Sequence, residues 1–246
     1  MDKELTLIGH LSELRQRILL SLGIIFVLML FTFSHASDIL TILKYPAIGF
    51  IDKLVFFSPT EAFSAYFKIA FFSALFLSVP AILYQFWAFI SPALEKDTQK
   101  QGAAFLVFSI LAFVSGVIFG FFLLLPAAIK FLIGFSQGVL IPMISVSSYV
   151  SFVTGLLFGC GLVFEMPILS YLLAKAGILN YQLLRKYWKH AVVVIFIVAA
   201  IITPSPDAFN MCLMAMPMII LYEISIWVAK FSNRKALFGK NECVKG

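Results

Sequence analysis

The stretch AYFKIAFFSALFLSVPAILYQFWAFI, residues 65–90, decides the fold of this chain. It is longer than the roughly 20 helical residues that are needed to cross the hydrocarbon core of a bilayer. Its apolar residues run continuously and do not alternate with polar ones, which favours a helix over a strand of a membrane barrel. We therefore expect a membrane-spanning helix at this position.

The rest of the chain repeats this pattern. Hydrophobic residues make up 62% of the 246 residues and charged residues only 12%, and the mean hydropathy is +1.03. A soluble domain is about a quarter charged. We predict an all-α, polytopic membrane bundle of six kinked helices, forming one domain over residues 1–246 with a basic cytoplasmic tail at 229–246. The predicted spans are 18–33, 65–90, 103–131, 150–174, 191–203 and 208–228.

The basic residues indicate how the bundle is oriented. Fourteen of the 18 Lys and Arg precede the first span or follow the second, fourth and sixth. The positive-inside rule then places both termini in the cytoplasm. Trp87, Trp188 and Trp227 fall near the same ends, where interfacial aromatic anchors are expected. Because the net charge of +6 is scattered over short loops, we expect no nucleic-acid partner.

The beginning of the chain allows a second interpretation. The first apolar run is short, and the residues around His35 are typical of a signal-peptidase site. The preceding segment is long and contains acidic residues, so we favour a retained first span. In the outer loop that follows, residues 34–64, the breakers Pro46, Gly49 and Pro59 separate apolar residues, and we expect a short interfacial helix around 40–57.

Several small residues and prolines predict how the helices bend and pack. Four spans contain an internal proline, at Pro80, Pro126, Pro167 and Pro217, and each predicts a kink. Two glycine pairs have the spacing that lets helix backbones approach closely, Gly116 with Gly120 and Gly155 with Gly159.

The fifth apolar run is unusually short, because TPSPD turns the chain at 203–207. As a helix, residues 191–203 measure only about 20 Å. We hypothesise that the fifth and sixth spans thin the bilayer locally or hold their connecting tip below the far surface.

Three acidic side chains in or beside the spans are candidates for function. Glu165 lies about 14 Å inside the fourth span, and two interpretations stay open: a carboxyl bonded to a neighbouring helix, or a polar point in a substrate path. Glu223 near the end of the sixth span is explained by a salt bridge or by snorkelling. Glu13 and Arg17 have the four-residue spacing of an ion pair on an amphipathic helix.

Nothing in the chain is typical of an enzyme. The three histidines lie outside the apolar runs, there is no HExxH, and the three cysteines show no metal-ligand spacing. We expect no catalysis, no cofactor and no metal. A secondary transporter or channel for a small solute, with Glu165 as the coupling acid, is the alternative function, although the two halves of the chain show no repeat.

A series of motifs, taken together in order, resembles the TatC family, the core subunit of the twin-arginine protein translocase. The resemblance runs from His10 to Lys235 and matches the order and spacing of all six spans. The motifs are HLSELRQR at 10–17, SPTEAF at 58–63, PAILYQFWAFISPAL at 80–94, FEMPI at 164–168, TPSPD at 203–207 and MPMIILYEISI at 216–226.

The resemblance implies a receptor for folded proteins that carry twin-arginine signal peptides. It also implies TatA/TatB-type single-span partner subunits, contact with membrane lipid, self-association, and export driven by the proton-motive force. Glu13 would accept the signal-peptide arginines, with Arg15 and Arg17 completing the site, and Glu165 would meet a deeply inserted signal peptide. The other implied positions are Phe89 for signal recognition, Pro46 for the outer loop, Asp207 for the outer turn and Thr203 for partner contact.

Two positions depart from the family pattern. The family usually has a glutamate where this chain has Thr98, so either Glu95 or Asp97 would serve in its place. The polar residue that the family has early in the sixth span is Met211 here, with Asn210 beside it. The partner contact is therefore shifted or weakened at these residues.

Overall fold

The computed structural model describes residues 7–51, 53–93, 99–134, 143–175, 177, 179, 181–202 and 208–242. These residues are helical apart from short connections and one isolated parallel bridge between Val55 and Ser145. Five helical segments are long and apolar enough to cross a membrane, and Trp188–Ile201 is a shorter apolar helix. The all-α, multi-pass prediction is confirmed.

Ten α-helices make up the described part of the chain. The first half contains α1 Leu7–Ser34, α2 Ala36–Lys44, α3 Pro59–Ile90, α4 Gly102–Phe119 and α5 Leu125–Gly134. The second half contains α6 Val146–Phe164, α7 Met166–Lys175, α8 Tyr181–Lys186, α9 Trp188–Ile202 and α10 Ala208–Glu242.

Two of the four span prolines coincide with a helix irregularity. A π-helical turn, Gly120–Leu124, joins α4 to α5 just before Pro126, and α6 ends at a turn at Glu165, just before Pro167. A proline ring clashes with the carbonyl four residues earlier and removes one backbone hydrogen bond, so the helix widens or breaks upstream. Pro80 and Pro217 lie inside continuous helices, and their kinks stay predictions.

The helix of the outer loop lies earlier than the sequence suggested. α2 ends at Lys44 and is followed by a short 3-10 helix, Tyr45–Ala47, so the helix predicted around 40–57 is wrong at both ends. Gly49 has φ +87°, in the left-handed region, and a right-handed helix cannot continue through that conformation. The buried side chains of Ala36 and Leu43 hold α2 against the bundle.

Helix α6 is the centre of the bundle. It packs against α3 and α4, while α1 packs along α3, and α10 packs along α7 and α9. Gly116 lies close to the backbone of α6, because a Cβ at this position would lie 2.6 Å from the carbonyl oxygen of Cys160. At Gly120 a Cβ would meet the Cys160 side chain at 3.1 Å. The close packing predicted at this glycine pair is confirmed, and the role of Gly155 and Gly159 stays a prediction.

One expectation about the helix ends is wrong. Trp87 is not an interfacial anchor, because it is only 7% exposed and stacks on Phe105 with ring centroids 4.8 Å apart. Gly102 leaves room for its indole ring. The apolar part of the last helix, Met211–Lys230, agrees with the predicted span at 208–228, and the helix itself continues to Glu242. Trp188 and Trp227 are exposed, as anchors should be.

Candidate functional site

An ion pair near the start of α1 forms the first part of the candidate site. Arg17 donates from Nε to Oε1 of Glu13 at 3.0 Å, and its Nη2 donates to the same oxygen. Residues four apart lie on the same face of a helix, which brings the two side chains together. Arg17 is 23% exposed and Glu13 is 26% exposed, so water reaches the pair without surrounding it. The ion pair predicted from the sequence is confirmed.

Arg17 also ties this pair to the neighbouring helix. Its Nη1 donates to Oε1 of Gln85 at 3.1 Å, and its Nη2 donates to the carbonyl oxygen of Ala88 at 3.3 Å. The guanidinium is therefore held from two helices, and it holds the Glu13 carboxylate in turn. The sequence analysis missed Gln85, although an amide inside the apolar run 65–90 was a signal. A cavity of about 260 Å³ opens here, lined by Glu13, Gln16, Arg17, Leu20 and Gln85.

The other residues predicted for this end are only partly described. Arg15 is exposed on α1, and Phe89 is half-buried near the end of α3, next to the Ala88 carbonyl that Arg17 binds. The role of Phe89 in signal recognition stays a prediction. Glu95 and Asp97 lie outside the described residues.

Two further cavities meet at Trp87. An open one of about 550 Å³ lies beside the ion pair and is lined by Tyr84, Trp87, Ala88, Ser91, Pro92 and Gln99. The other, of about 280 Å³, is almost entirely apolar and lies between α3, α4 and α7. Its walls include Trp87, Phe105, Phe108, Ile168 and Tyr171. Trp87 therefore lines both the open, more polar cavity and the apolar cavity.

Glu165 lies one helical turn beyond the apolar cavity, at the break between α6 and α7. It is 4% exposed, and its polar neighbour is the fully buried Ser109 on α4. Among the described residues, no hydrogen bond reaches either Glu165 carboxylate oxygen or the Ser109 hydroxyl. A buried carboxyl without partners costs stability and is characteristic of a functional position. Sequence reasoning singled out Glu165 but missed Ser109, a lone polar residue in the third span.

The remaining predicted residues lie away from this site. Pro46 is half-buried in the 3-10 helix Tyr45–Ala47, at the end of the bundle opposite Glu13. Met211 packs against the hydrophobic core. Asn210 lies at the start of α10, where only the backbone is described, and Thr203 and Asp207 lie outside the described residues.

Glu223 has a structural partner. Arg185 on α8 donates to its Oε1 at 2.7 Å, and the two side chains are 63% and 38% exposed, respectively. The salt bridge expected for Glu223 is therefore confirmed, and it contributes to the contact between α8 and α10.

Comparisons with known proteins show the family of this chain. The family model described as Sec-independent protein translocase protein (TatC) matches residues 9–217. A relative from Carboxydothermus hydrogenoformans, named Sec-independent protein translocase protein TatC, is 39% identical over 98% of this chain and 99% of its own length. A protein of that name from Helicobacter pylori strain J99 is 42% identical over 91% of this chain and 88% of its own length.

A solved structure agrees with these relatives. The crystal structure described as the twin-arginine translocase receptor TatC superposes with a TM-score of 0.84 at 38% identity. It covers 91% of this chain and 99% of its own chain. The chain therefore belongs to the TatC family, whose members are components of a membrane protein translocase and not enzymes.

Proposed function

We propose that this chain is the core subunit of a twin-arginine translocase and the receptor for the signal peptides of folded proteins. The observation that carries the proposal is the partly exposed carboxylate of Glu13. Arg17 binds this carboxylate and is itself held by Gln85 on the neighbouring helix. A carboxylate in a fixed orientation binds the planar guanidinium of arginine, which can donate two parallel hydrogen bonds, better than the compact ammonium of lysine.

The local charge requires a second acidic group. Arg17 neutralises Glu13, and Arg15 adds a positive charge beside the pair. Two incoming arginines would therefore meet a region without net negative charge, unless another carboxylate faces them. Glu95 and Asp97 follow directly on the end of α3 in the sequence, and we assign the second acceptor to one of them.

The apolar part of a signal peptide would follow the two cavities that share Trp87. Its charged beginning would remain at Glu13, beside the open cavity, while its apolar segment enters the space between Phe105 and Tyr171. The transfer of apolar surface from water favours this insertion. Glu165 would then meet the deeply inserted segment, which supplies a reason to keep a buried carboxyl.

Both termini would face the cytoplasm of an inner membrane. The basic residues cluster on that side, and a receptor for cytoplasmic proteins needs its arginine acceptor there. Pro46 and the outer turn at Asp207 would lie on the far side. The short α9, about 22 Å long, supports a locally thinned bilayer around the fifth and sixth spans.

Partner subunits would complete the translocase. We assign the contact with TatA/TatB-type single-span helices to Thr203, Asn210 and Met211. This assignment is supported by the exposed apolar side chains of Ile201, near the end of α9, and of Phe209, at the start of α10. Self-association and the proton-motive force would act at the level of this assembly.

Photocrosslinking tests the proposed path. A twin-arginine peptide with a photoreactive residue in its apolar segment should crosslink to the walls of the apolar cavity, at Phe108 or Tyr171. Replacing both peptide arginines by lysines should abolish these crosslinks. Crosslinks confined to the outer face of α1, or equal crosslinks from both peptides, would contradict the proposal.

The buried Glu165 also favours a second candidate function, a secondary transporter or channel in which this acid couples ion movement to transport of a small solute. Solute uptake into vesicles that contain only this chain would support it. Absence of uptake, together with arginine-dependent peptide binding, would favour the receptor.

A further inference from the structure

A second polar site lies in the bundle, at the end opposite Glu13. Lys68 on α3 donates from Nζ to the hydroxyl of Ser147 at 2.9 Å and to that of Ser151 at 2.8 Å, both on α6. All three side chains are half-buried. The two serines are four residues apart, so they lie on one face of α6 and bracket the ammonium between them.

The site holds a positive charge without an anionic partner. Among the described residues, the ammonium of Lys68 contacts only these two neutral hydroxyls. The carboxylate of Glu61, two turns earlier on α3, is already bonded to Ser145 and to the backbone N–H groups of Phe57 and Ser147. A charge in a low-dielectric setting is costly when unpaired, so an anion at this point would be strongly favoured.

The geometry leaves donors directed at such an anion. An ammonium has three N–H donors, and the two serines take two of them. Each serine accepts from the lysine and still has its own O–H to donate. One N–H of the lysine and the O–H groups of the two serines therefore remain to donate, and such donors suit the oxygens of a phosphate group.

An apolar cavity of about 500 Å³ adjoins the three polar groups. Leu132 in its lining is also exposed at the surface of α5, and no acidic side chain lines the cavity. The lining residues besides the three polar ones are Ile51, Ile129, Leu132, Ile133, Ile144, Ser148, Tyr149 and Phe152. A ligand with a phosphate and long hydrocarbon chains fits this combination.

The depth of Lys68 agrees with a lipid headgroup. α3 has 32 residues and measures about 48 Å, so it extends about 9 Å beyond each face of a hydrocarbon core of about 30 Å. Lys68 lies about 14 Å from the start of the helix, about 5 Å inside the core boundary. A lysine side chain reaches the headgroup layer from that depth.

We propose that Lys68, Ser147 and Ser151 form a binding site for the phosphate of an anionic phospholipid, whose hydrocarbon chains lie in the adjoining cavity. The lipid is anionic because the cavity offers no carboxylate to pair with the ammonium or choline group of a zwitterionic headgroup. The bound lipid would fill the space between α5 and α6 and stabilise that end of the bundle. This site is separate from the signal-peptide site.

Native mass spectrometry of the full chain in detergent tests the proposal, with phosphatidylglycerol and phosphatidylcholine as the added lipids. The variants are Lys68→Gln, the double change Ser147→Ala with Ser151→Ala, and Lys130→Gln. Lys130 is an exposed lysine on α5 that does not line the cavity, so it is the matched control. Thermal unfolding without lipid shows whether each variant is folded.

One phosphatidylglycerol molecule should bind more tightly than phosphatidylcholine to the native chain and equally to Lys130→Gln. Lys68→Gln should weaken phosphatidylglycerol binding about tenfold, because a charge-assisted hydrogen bond is lost. The double serine variant, which keeps the charge, should weaken it severalfold. Inorganic phosphate at millimolar concentration should not displace the lipid.

Other outcomes would overturn the proposal. Native-like phosphatidylglycerol binding by a folded Lys68→Gln variant would place the lipid elsewhere and leave the cavity to a helix of another subunit. Displacement by inorganic phosphate would show that a free anion occupies the site. Equal weakening by Lys130→Gln would show that only the general positive charge of this end matters.

Discussion

The guanidinium of Arg17 on α1 bonds the side-chain oxygen of Gln85 on α3 at 3.1 Å, and so connects the arginine acceptor Glu13 to a second helix. An ion pair on a single exposed helix would contribute little and would fluctuate. The contact with α3 holds the guanidinium in place. Signal-peptide binding should therefore depend on Gln85, although Gln85 bonds Arg17 and not Glu13.

Replacing Gln85 should weaken signal-peptide binding without unfolding the protein. Gln85→Ala removes one hydrogen bond to Arg17, so we expect the Kd for a twin-arginine peptide to rise about three- to tenfold. Fluorescence anisotropy in detergent measures it. Gln16→Ala is the matched control, because exposed Gln16 lines the same cavity. Unchanged affinity in Gln85→Ala would show that the hydrogen bond between Gln85 and Arg17 has no role in binding.

Removing the buried carboxyl at Glu165 should abolish transport without lowering the stability of the protein. Glu165→Leu fills a similar volume and removes an unbonded polar group that costs about 1–3 kcal/mol. The unfolding temperature should stay the same or rise, while export of a twin-arginine reporter in cells should be lost. A large drop in unfolding temperature would instead show that Glu165 stabilises the fold.

A methyl group at Gly116 should destabilise the bundle. The Cβ of Gly116→Ala would lie 2.6 Å from the backbone oxygen of Cys160, which cannot move aside as a side chain can. We expect a loss of about 1–3 kcal/mol in the free energy of unfolding.

The same change at Gly23 is the control. A Cβ there meets nothing within 4 Å, so Gly23→Ala should be neutral or stabilising by up to about 1 kcal/mol. Thermal unfolding in detergent compares the two variants. Equal stability of both would contradict the close contact between α4 and α6.

The turn after α9 should lie below the outer membrane surface. A fluorophore on a cysteine at Ser205, in a cysteine-free background, should be quenched by lipids labelled within the acyl region. A fluorophore at Ser58, at the start of α3, should be quenched mainly by headgroup-labelled lipids. Equal headgroup quenching at both positions would contradict local thinning.

The presence of the membrane-spanning helices could be predicted from the sequence. In lipid, a continuous apolar run can satisfy its backbone hydrogen-bonding groups only as a helix. The limits of α2 and α10 were harder. α2 ends at Lys44, and the positive φ of Gly49 prevents a helix from extending toward residue 57, whereas α10 continues beyond its apolar part to Glu242. Trp87 illustrates the same difficulty at the level of a side chain. Its place near the end of a span suggested an anchor at the membrane interface, but Gly102 has no side chain and the indole ring is buried against it.

The candidate site was predictable where its contacts are local. Glu13 and Arg17 are one helical turn apart, and the spacing alone indicated their ion pair. Gln85 and Ser109 were missed because their polar neighbours, Arg17 and Glu165, lie on other helices, and no periodicity in one sequence gives that proximity. The link between Lys68 and Ser147 belongs to the same class, with 79 residues separating them.

The most direct test of the receptor function is binding of a fluorescent twin-arginine signal peptide to the detergent-solubilised chain. The native chain is compared with Glu13→Ala, with Glu223→Ala as an acidic control, and with a peptide whose two arginines are lysines. We predict that binding is lost in Glu13→Ala and with the lysine peptide, and kept in Glu223→Ala. Equal binding in all four experiments would contradict a receptor built around Glu13.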